Sequence, residues 1–261
     1  MAVLNVTPDS FADAAPRLDT DAAIGAALRM EQDGADIVDI GGESTRPGAE
    51  PIGAEEELAR VLPVVSGLAG RLRVPISIDT YKAEVARAAL AAGASIVNDV
   101  SGLQFDPGLG RVIADTGAAA VLMHTRGRPK TMYADAEYGD VVQDVTRELR
   151  QAVDRAAAAG VPAERVVLDP GLGFAKRAAH SYRVLARLPE LAEALGRPLL
   201  VGASRKSFLR DASGGRPAPD RDWATAAAVT AAVLGGAHIV RVHAVREMIQ
   251  VIRAAEEIRH A

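Results

Sequence analysis

The sequence predicts a parallel (β/α)8 TIM barrel on three observations: its length, a recurring glycine-to-strand unit, and polar residues that close nearly every apolar run. At 261 residues the chain matches the roughly 250 residues typical of one α/β barrel. Residues 1–261 are therefore expected to form a single barrel domain. Hydrophobic residues make up 49% of the chain, enough to fill the layer between a sheet and its covering helices. The repeat opens with an Ala-rich amphipathic stretch, passes a Gly-Ala pair and enters a short β-branched run. It stands at residues 34–40, 93–99, 117–124 and 236–243. Glycine suits the left-handed turn that ends a helix, and a continuous apolar run suits a strand buried on both faces.

Four further runs, at residues 3–6, 75–79, 165–169 and 198–202, bring the strand candidates to eight. Each is followed by a helical pattern. Strands alternating with helices imply parallel pairing through right-handed crossovers, and eight such units close a barrel. A doubly wound open sheet would instead carry G-x-G-x-x-G after an early strand. Gly171-Leu172-Gly173 comes too late and lacks the third glycine.

Composition narrows the function. The 30 basic and 34 acidic residues give a formal charge of −4 and are interspersed, and only 3% of residues are aromatic. Neither a basic stripe nor stacking platforms for nucleic acid are present. No cysteine occurs, which removes disulfides and thiolate metal sites and favours a reduced compartment. The start of the chain lacks the features of a signal peptide, and no stretch approaches 18 apolar residues in a row. A cytoplasmic enzyme acting on small molecules is expected.

In a barrel the chemistry gathers at the carboxyl ends of the strands. There the sequence offers Asn5, Glu43 and Thr45, Asp79, Asn98 with Asp99, His124, Asp169, the run Ser204-Arg205-Lys206-Ser207, and Arg241 with His243. Any one of these alone would more often cap the following helix. The set recurs at too many strand ends for that reading. Asp79, Asn98, Asp169 and Lys206 combine acceptors, an amide and a cation, a set able to read the edge of a flat heterocycle. Arg241 and His243, two apart on the eighth strand, are expected to share a face and hold a diphosphate. His180, His238 and His260 carry little functional weight. No cage of side chains for zinc or calcium is apparent, whereas Mg²⁺ held by phosphate oxygens, water and Asn5 suits that ion. Two long turn-rich loops, at residues 7–19 and 41–53, are expected to act as lids. Residues 126–138 and 211–222 form two more polar excursions.

These strand ends carry a family resemblance. Leu4-Asn5-Val6-Thr7-Pro8-Asp9-Ser10-Phe11, Gly41-Gly42-Glu43-Ser44-Thr45-Arg46-Pro47-Gly48, Ser77-Ile78-Asp79-Thr80, Val97-Asn98-Asp99, Leu168-Asp169-Pro170-Gly171, Ser204-Arg205-Lys206-Ser207 and Arg241-Val242-His243 resemble the dihydropteroate synthases across essentially the whole chain. The resemblance implies a transferase of folate biosynthesis. It would condense (7,8-dihydropterin-6-yl)methyl diphosphate with 4-aminobenzoate in the presence of Mg²⁺, as a homodimer. It places Asp79, Asn98, Asp169 and Lys206 on the pterin, Asn5 at the Mg²⁺, and Arg241 and His243 on the diphosphate. Thr45, Arg46 and Pro47 would close over the site, while Phe174, Lys206 and Ser207 would border the 4-aminobenzoate. Asp79, Lys206, Arg241 and His243 would carry the chemistry.

The chain departs from the family pattern at Ala12-Asp13-Ala14-Ala15, where glycines are usual, and this stiffens the first lid. Ala175 likewise replaces a frequent glycine beside Phe174. Two other readings share the pterin-gripping pattern. A methyltetrahydrofolate-binding barrel would have no use for a diphosphate grip, and a non-catalytic pterin binder would bind without turnover.

Overall fold

The computed structural model describes residues 1–7, 20–45, 48–128, 130–134 and 136–261. The substituted segment Ala12 to Ala15, with most of the first expected lid, lies outside these residues, as do Arg46 and Pro47. Strands and helices alternate as β1 (Ala2–Asn5), α1 (Thr20–Gln32), β2 (Val38–Gly41), α2 (Ala54–Leu68), β3 (Ile76–Asp79), α3 (Ala83–Ala91), β4 (Ile96–Asp99), α4 (Leu109–Thr116) and β5 (Ala119–Met123). The series continues with α5 (Val141–Ala158), β6 (Val166–Asp169), α6 (Ala178–Ala186), α7 (Leu188–Leu195), β7 (Leu200–Val201), α8 (Asp222–Leu234), β8 (Ile239–Val240) and α9 (Val245–His260). The repeat works as expected: Gly34, Gly93, Gly117 and Gly236 all have positive φ, ending one helix before the next strand begins.

β1 to β6 form a continuous parallel ladder and β7 pairs with β8. Parallel bridges Leu168↔Leu199 and Ala2↔Val242 join the two pieces at both seams, completing the (β/α)8 ring. Two details differ from expectation. The sixth crossover holds two helices, because Pro189 in the first turn of α7 favours a fresh helix start. β8 ends at Val240, so Arg241 and His243 lie beyond the strand instead of on it. The chain there remains tied to its neighbours, with Arg241 N donating to Val201 O and Val242 N to Met1 O.

Packing separates two cores. The large one fills the space between strands and helices. A smaller one, inside the ring, joins Met1, Val121 and Leu200 with Ile37, Ile96, Val167 and Ile239. Side chains two apart on a strand share a face. The positions two residues beyond Ile37, Ile96, Val167 and Ile239 are Asp39, Asn98, Asp169 and Arg241, so a polar layer sits directly on this apolar floor. Among the described residues no helix is long and apolar enough to cross a membrane.

Candidate active site

Strand register brings the polar layer together. Asn5 aligns with Gly41, Gly41 with Asp79, and Asp79 with Asn98, while Asp169 aligns with Met123. At the centre lies Asp39, fully buried. Its Oδ2 accepts from Asn98 Nδ2 at 2.9 Å and from Arg241 Nε at 2.6 Å. Arg241 Nη2 donates to Asp79 Oδ2 at 2.7 Å, so one guanidinium bridges two carboxyl groups from adjacent strands. Burial pushes the Asp79 carboxyl up to about 7; Arg241 opposes that rise, and Asp39, Glu57 and Asp99 add to it. A carboxyl held near neutrality by burial beside a cation is a mark of a candidate functional site.

Asp169 and Lys206 form the opposite wall. Asp169 Oδ1 accepts from Gly171 N at 2.7 Å, and burial raises its pKa against the pull of Lys206. Lys206 Nζ donates to Leu172 O at 2.6 Å and lies 4.6 Å from the centre of the Phe174 ring. Burial lowers the Lys206 ammonium to about 8, opposed by Asp169. Gly202, just beyond β7, borders both cations: a Cβ there would stand 3.6 Å from Lys206 Nζ and 3.8 Å from Arg241 Cβ, in ordinary contact. The wall is completed by Tyr81, Val100 and Met123 packed with Phe105 and Phe174.

The remaining expected residues take up varied positions. Asn5 closes β1 and Thr45 is half-buried on the second loop. Ser207 is exposed, with its Oγ 3.4 Å from Tyr133 OH. His243 Nδ1 lies 2.9 Å from Ser204 Oγ, whereas Arg241 is held by carboxyl groups in the cup, so the two expected diphosphate ligands have different anchors. Asp99 serves the backbone: its oxygens accept from Ser101 N at 2.8 Å and Leu103 N at 2.6 Å. His124 is buried against Glu148 and Lys176.

Three groups escape a reading of strand ends. Asp39 stands one turn of the pleat too early. Lys82 bonds Glu43 Oε2 at 2.5 Å and the buried Glu57, while Tyr81 OH donates to Glu43 Oε1 at 2.9 Å, which fastens the base of the second loop. Lys176 is the third. A carboxylate inside an otherwise apolar buried run was the available signal for Asp39; spacing marks neither lysine.

A closed parallel barrel whose strand ends gather three carboxyl groups, an amide and two cations over an apolar floor defines an enzyme for a flat, hydrogen-bonding heterocycle. The sequence matches the pterin binding enzymes over residues 1–243, and the chain belongs to that family. It is 47% identical over 258 residues to the dihydropteroate synthase of Synechocystis sp., covering 99% of this chain and 89% of that protein. Solved structures agree. The Xanthomonas albilineans dihydropteroate synthase with 4-aminobenzoic acid superposes with a TM-score of 0.93 at 41% identity, covering 100% of this chain and 93% of the other. The same enzyme in complex with 7,8-dihydropteroate gives 0.90 at 38% identity, with the same coverage.

Proposed function

We propose that the chain is a dihydropteroate synthase, joining (7,8-dihydropterin-6-yl)methyl diphosphate to 4-aminobenzoate to yield 7,8-dihydropteroate and diphosphate in folate synthesis. The observation that carries this reading is the Asn98–Asp39–Arg241–Asp79 chain facing Asp169 and Lys206. Carboxyl groups at Asp79 and Asp169 accept from the amino and ring N–H groups of a pterin, Asn98 gives and accepts, and Lys206 donates to ring acceptors. Phe174, Lys206 and Ser207 border the 4-aminobenzoate, with Thr45, Arg46 and Pro47 closing over it.

The reaction breaks the C–O bond between the pterin methylene and diphosphate, and the bonding pair leaves with diphosphate. Positive charge spreads from the methylene into the pterin ring, where the Asp79 side stabilises it. Arg241 and His243 lie on the side of the cup that receives the anion. The aniline nitrogen then forms the new C–N bond and loses its proton. A neutral aromatic amine needs no base before attack.

Asn5 contributes one neutral amide oxygen at the rim, and the described residues contain no group of three His, Cys, Asp or Glu able to hold a metal. This donor set fits an ion held mainly by diphosphate oxygens and water, the binding mode Mg²⁺ favours. Mg²⁺ so bound would neutralise charge on the leaving group. Purified protein given Mg²⁺ and both substrates is expected to release dihydropteroate and diphosphate in equal amounts. Pterin binding without product would instead identify a non-catalytic member of the family.

We further infer a homodimer in a reduced, cytoplasmic setting. The lack of cysteine supports the compartment. A groove of about 750 Å³ between α6 and α8, lined by Tyr182, Leu185, Leu209, Trp223, Ala227 and Ala231, supports the dimer. Trp223 there is 90% exposed, unusual for a large ring on a free surface.

A further inference from the structure

The loop from Gly171 to Ala175 has no strand or helix partner, yet each of its five successive carbonyl oxygens accepts a hydrogen bond from a side chain. Gly171 O and Phe174 O each accept from Lys176 Nζ at 3.1 Å, Leu172 O from Lys206 Nζ at 2.6 Å, Gly173 O from Tyr133 OH at 3.3 Å and Ala175 O from Tyr138 OH at 3.0 Å. Buried backbone polar groups must find partners; here side chains supply them, joined at Gly171 O by Phe174 N at 3.0 Å, and fix the shape of the loop. Lys176 holds two of the five.

Lys176 is 1% exposed. Its Nζ also lies 2.7 Å from His124 Nδ1, giving three close acceptors for the three N–H bonds of an ammonium. His124 Nε2 lies 2.9 Å from Glu148 Oε2, and Arg126 binds the same carboxylate. Burial and Lys176 push the imidazole down to about 4, against Glu148. It is therefore neutral at pH 7, and its Nδ1 accepts from Lys176 while Nε2–H donates to Glu148. Burial also lowers the proton affinity of Lys176, which Asp169 and Glu148 counter and Lys206 and Arg126 reinforce.

We propose that Lys176 is a positioning residue for the second substrate: anchored through His124 to Glu148, it clamps the Gly171 and Phe174 carbonyls and so holds the Phe174 ring and Leu172 O against Lys206. The inference rests on the reading that 4-aminobenzoate lies beside Phe174 and Lys206. The Asp169 backbone is set by the ladder between β5 and β6 and its carboxyl meets the loop only at Gly171 N, so loss of the clamp disturbs the 4-aminobenzoate side more than the pterin side.

Lys176→Met keeps the length of the side chain and removes its donors. In the full-length protein, once its folding is verified by thermal unfolding, pterin diphosphate affinity by calorimetry should stay within about threefold. KM for 4-aminobenzoate should rise about tenfold or more, with kcat changed far less. His124→Asn, which retains an oxygen acceptor for Nζ, should stay near the parent, and His124→Leu should reproduce the rise. An unchanged KM in Lys176→Met, or equal losses of pterin affinity, kcat and 4-aminobenzoate binding, overturns the proposal. Should Lys176→Met fail to fold, equal KM values in His124→Asn and His124→Leu overturn it. Phe174→Ala separates the two levels. If it leaves the 4-aminobenzoate KM unchanged, the placement of that substrate fails; if it raises KM while Lys176→Met does not, only the clamp fails.

Discussion

Gly171 shows how tightly single positions are constrained around the cup. It has a φ of 66°, and an added Cβ would lie 2.0 Å from His124 O. Gly171→Ala should cost about 3 kcal/mol or more in denaturant unfolding, from left-handed strain together with a backbone clash. Asp169→Ala should weaken pterin binding by about 100-fold or more in calorimetry, because it removes a charged acceptor from a desolvated wall. His180→Ala, in contrast, should leave kcat/KM within about threefold. Lys206 sets a pH limit. Its folded pKa, about 8, lies below the ordinary 10.5, so the ammonium is lost as pH rises through about 8 while the unfolded chain still keeps its proton. Affinity for the anionic pterin diphosphate should therefore fall as pH rises above about 8 in calorimetric titrations, and fall again below about 7 as Asp79 takes up its proton. At this scale the sequence was informative about residue type at strand ends. Partners were not legible, since the bond from Arg241 to Asp39 spans 202 positions.

At the scale of elements, Arg241 joins β2 and β3 to the end of β8 across the ring. Replacing it with Leu would leave Asp39, fully buried, without its cation. The expected loss is about 3–5 kcal/mol in urea unfolding, as for other broken buried pairs; a loss below about 1 kcal/mol would show that Asp39 and Asp79 share the burden with other donors. The eight strand runs were readable because a parallel sheet buried on both faces writes itself as short apolar runs. The break between α6 and α7 was harder to see, since Pro189 in a first helical turn leaves no gap in the apolar pattern. The β8 end point was obscured for a similar reason: Arg241-Val242-His243 alternates like a strand and still makes backbone bonds to β7 and to Met1.

For the molecule as a whole, the apolar groove along α8 predicts its assembly. Sedimentation should give a dimer, and Trp223→Glu should shift it towards monomer with unchanged circular dichroism; a monomeric parent protein would refute the assignment of that face. Fold class and substrate type were readable from the order of the motifs, whereas the loop carbonyls and their donors become visible only in three dimensions. The layering of the barrel interior has a consequence for where charge can reside. An apolar floor bars water and counterions from below, so the polar layer above it is solvated chiefly from its open mouth. Asp39, Asp79 and Asp169 share that layer with Arg241 and Lys206, and above about pH 7, where Asp79 is ionised, the depths of the cup favour positive charge. On the proposed dissociative cleavage, the cationic half would stay in that region while the anionic half would gain by moving outward to bulk water. On that reading the barrel would act as a charge separator along its own axis, with depth helping to keep the two fragments from recombining.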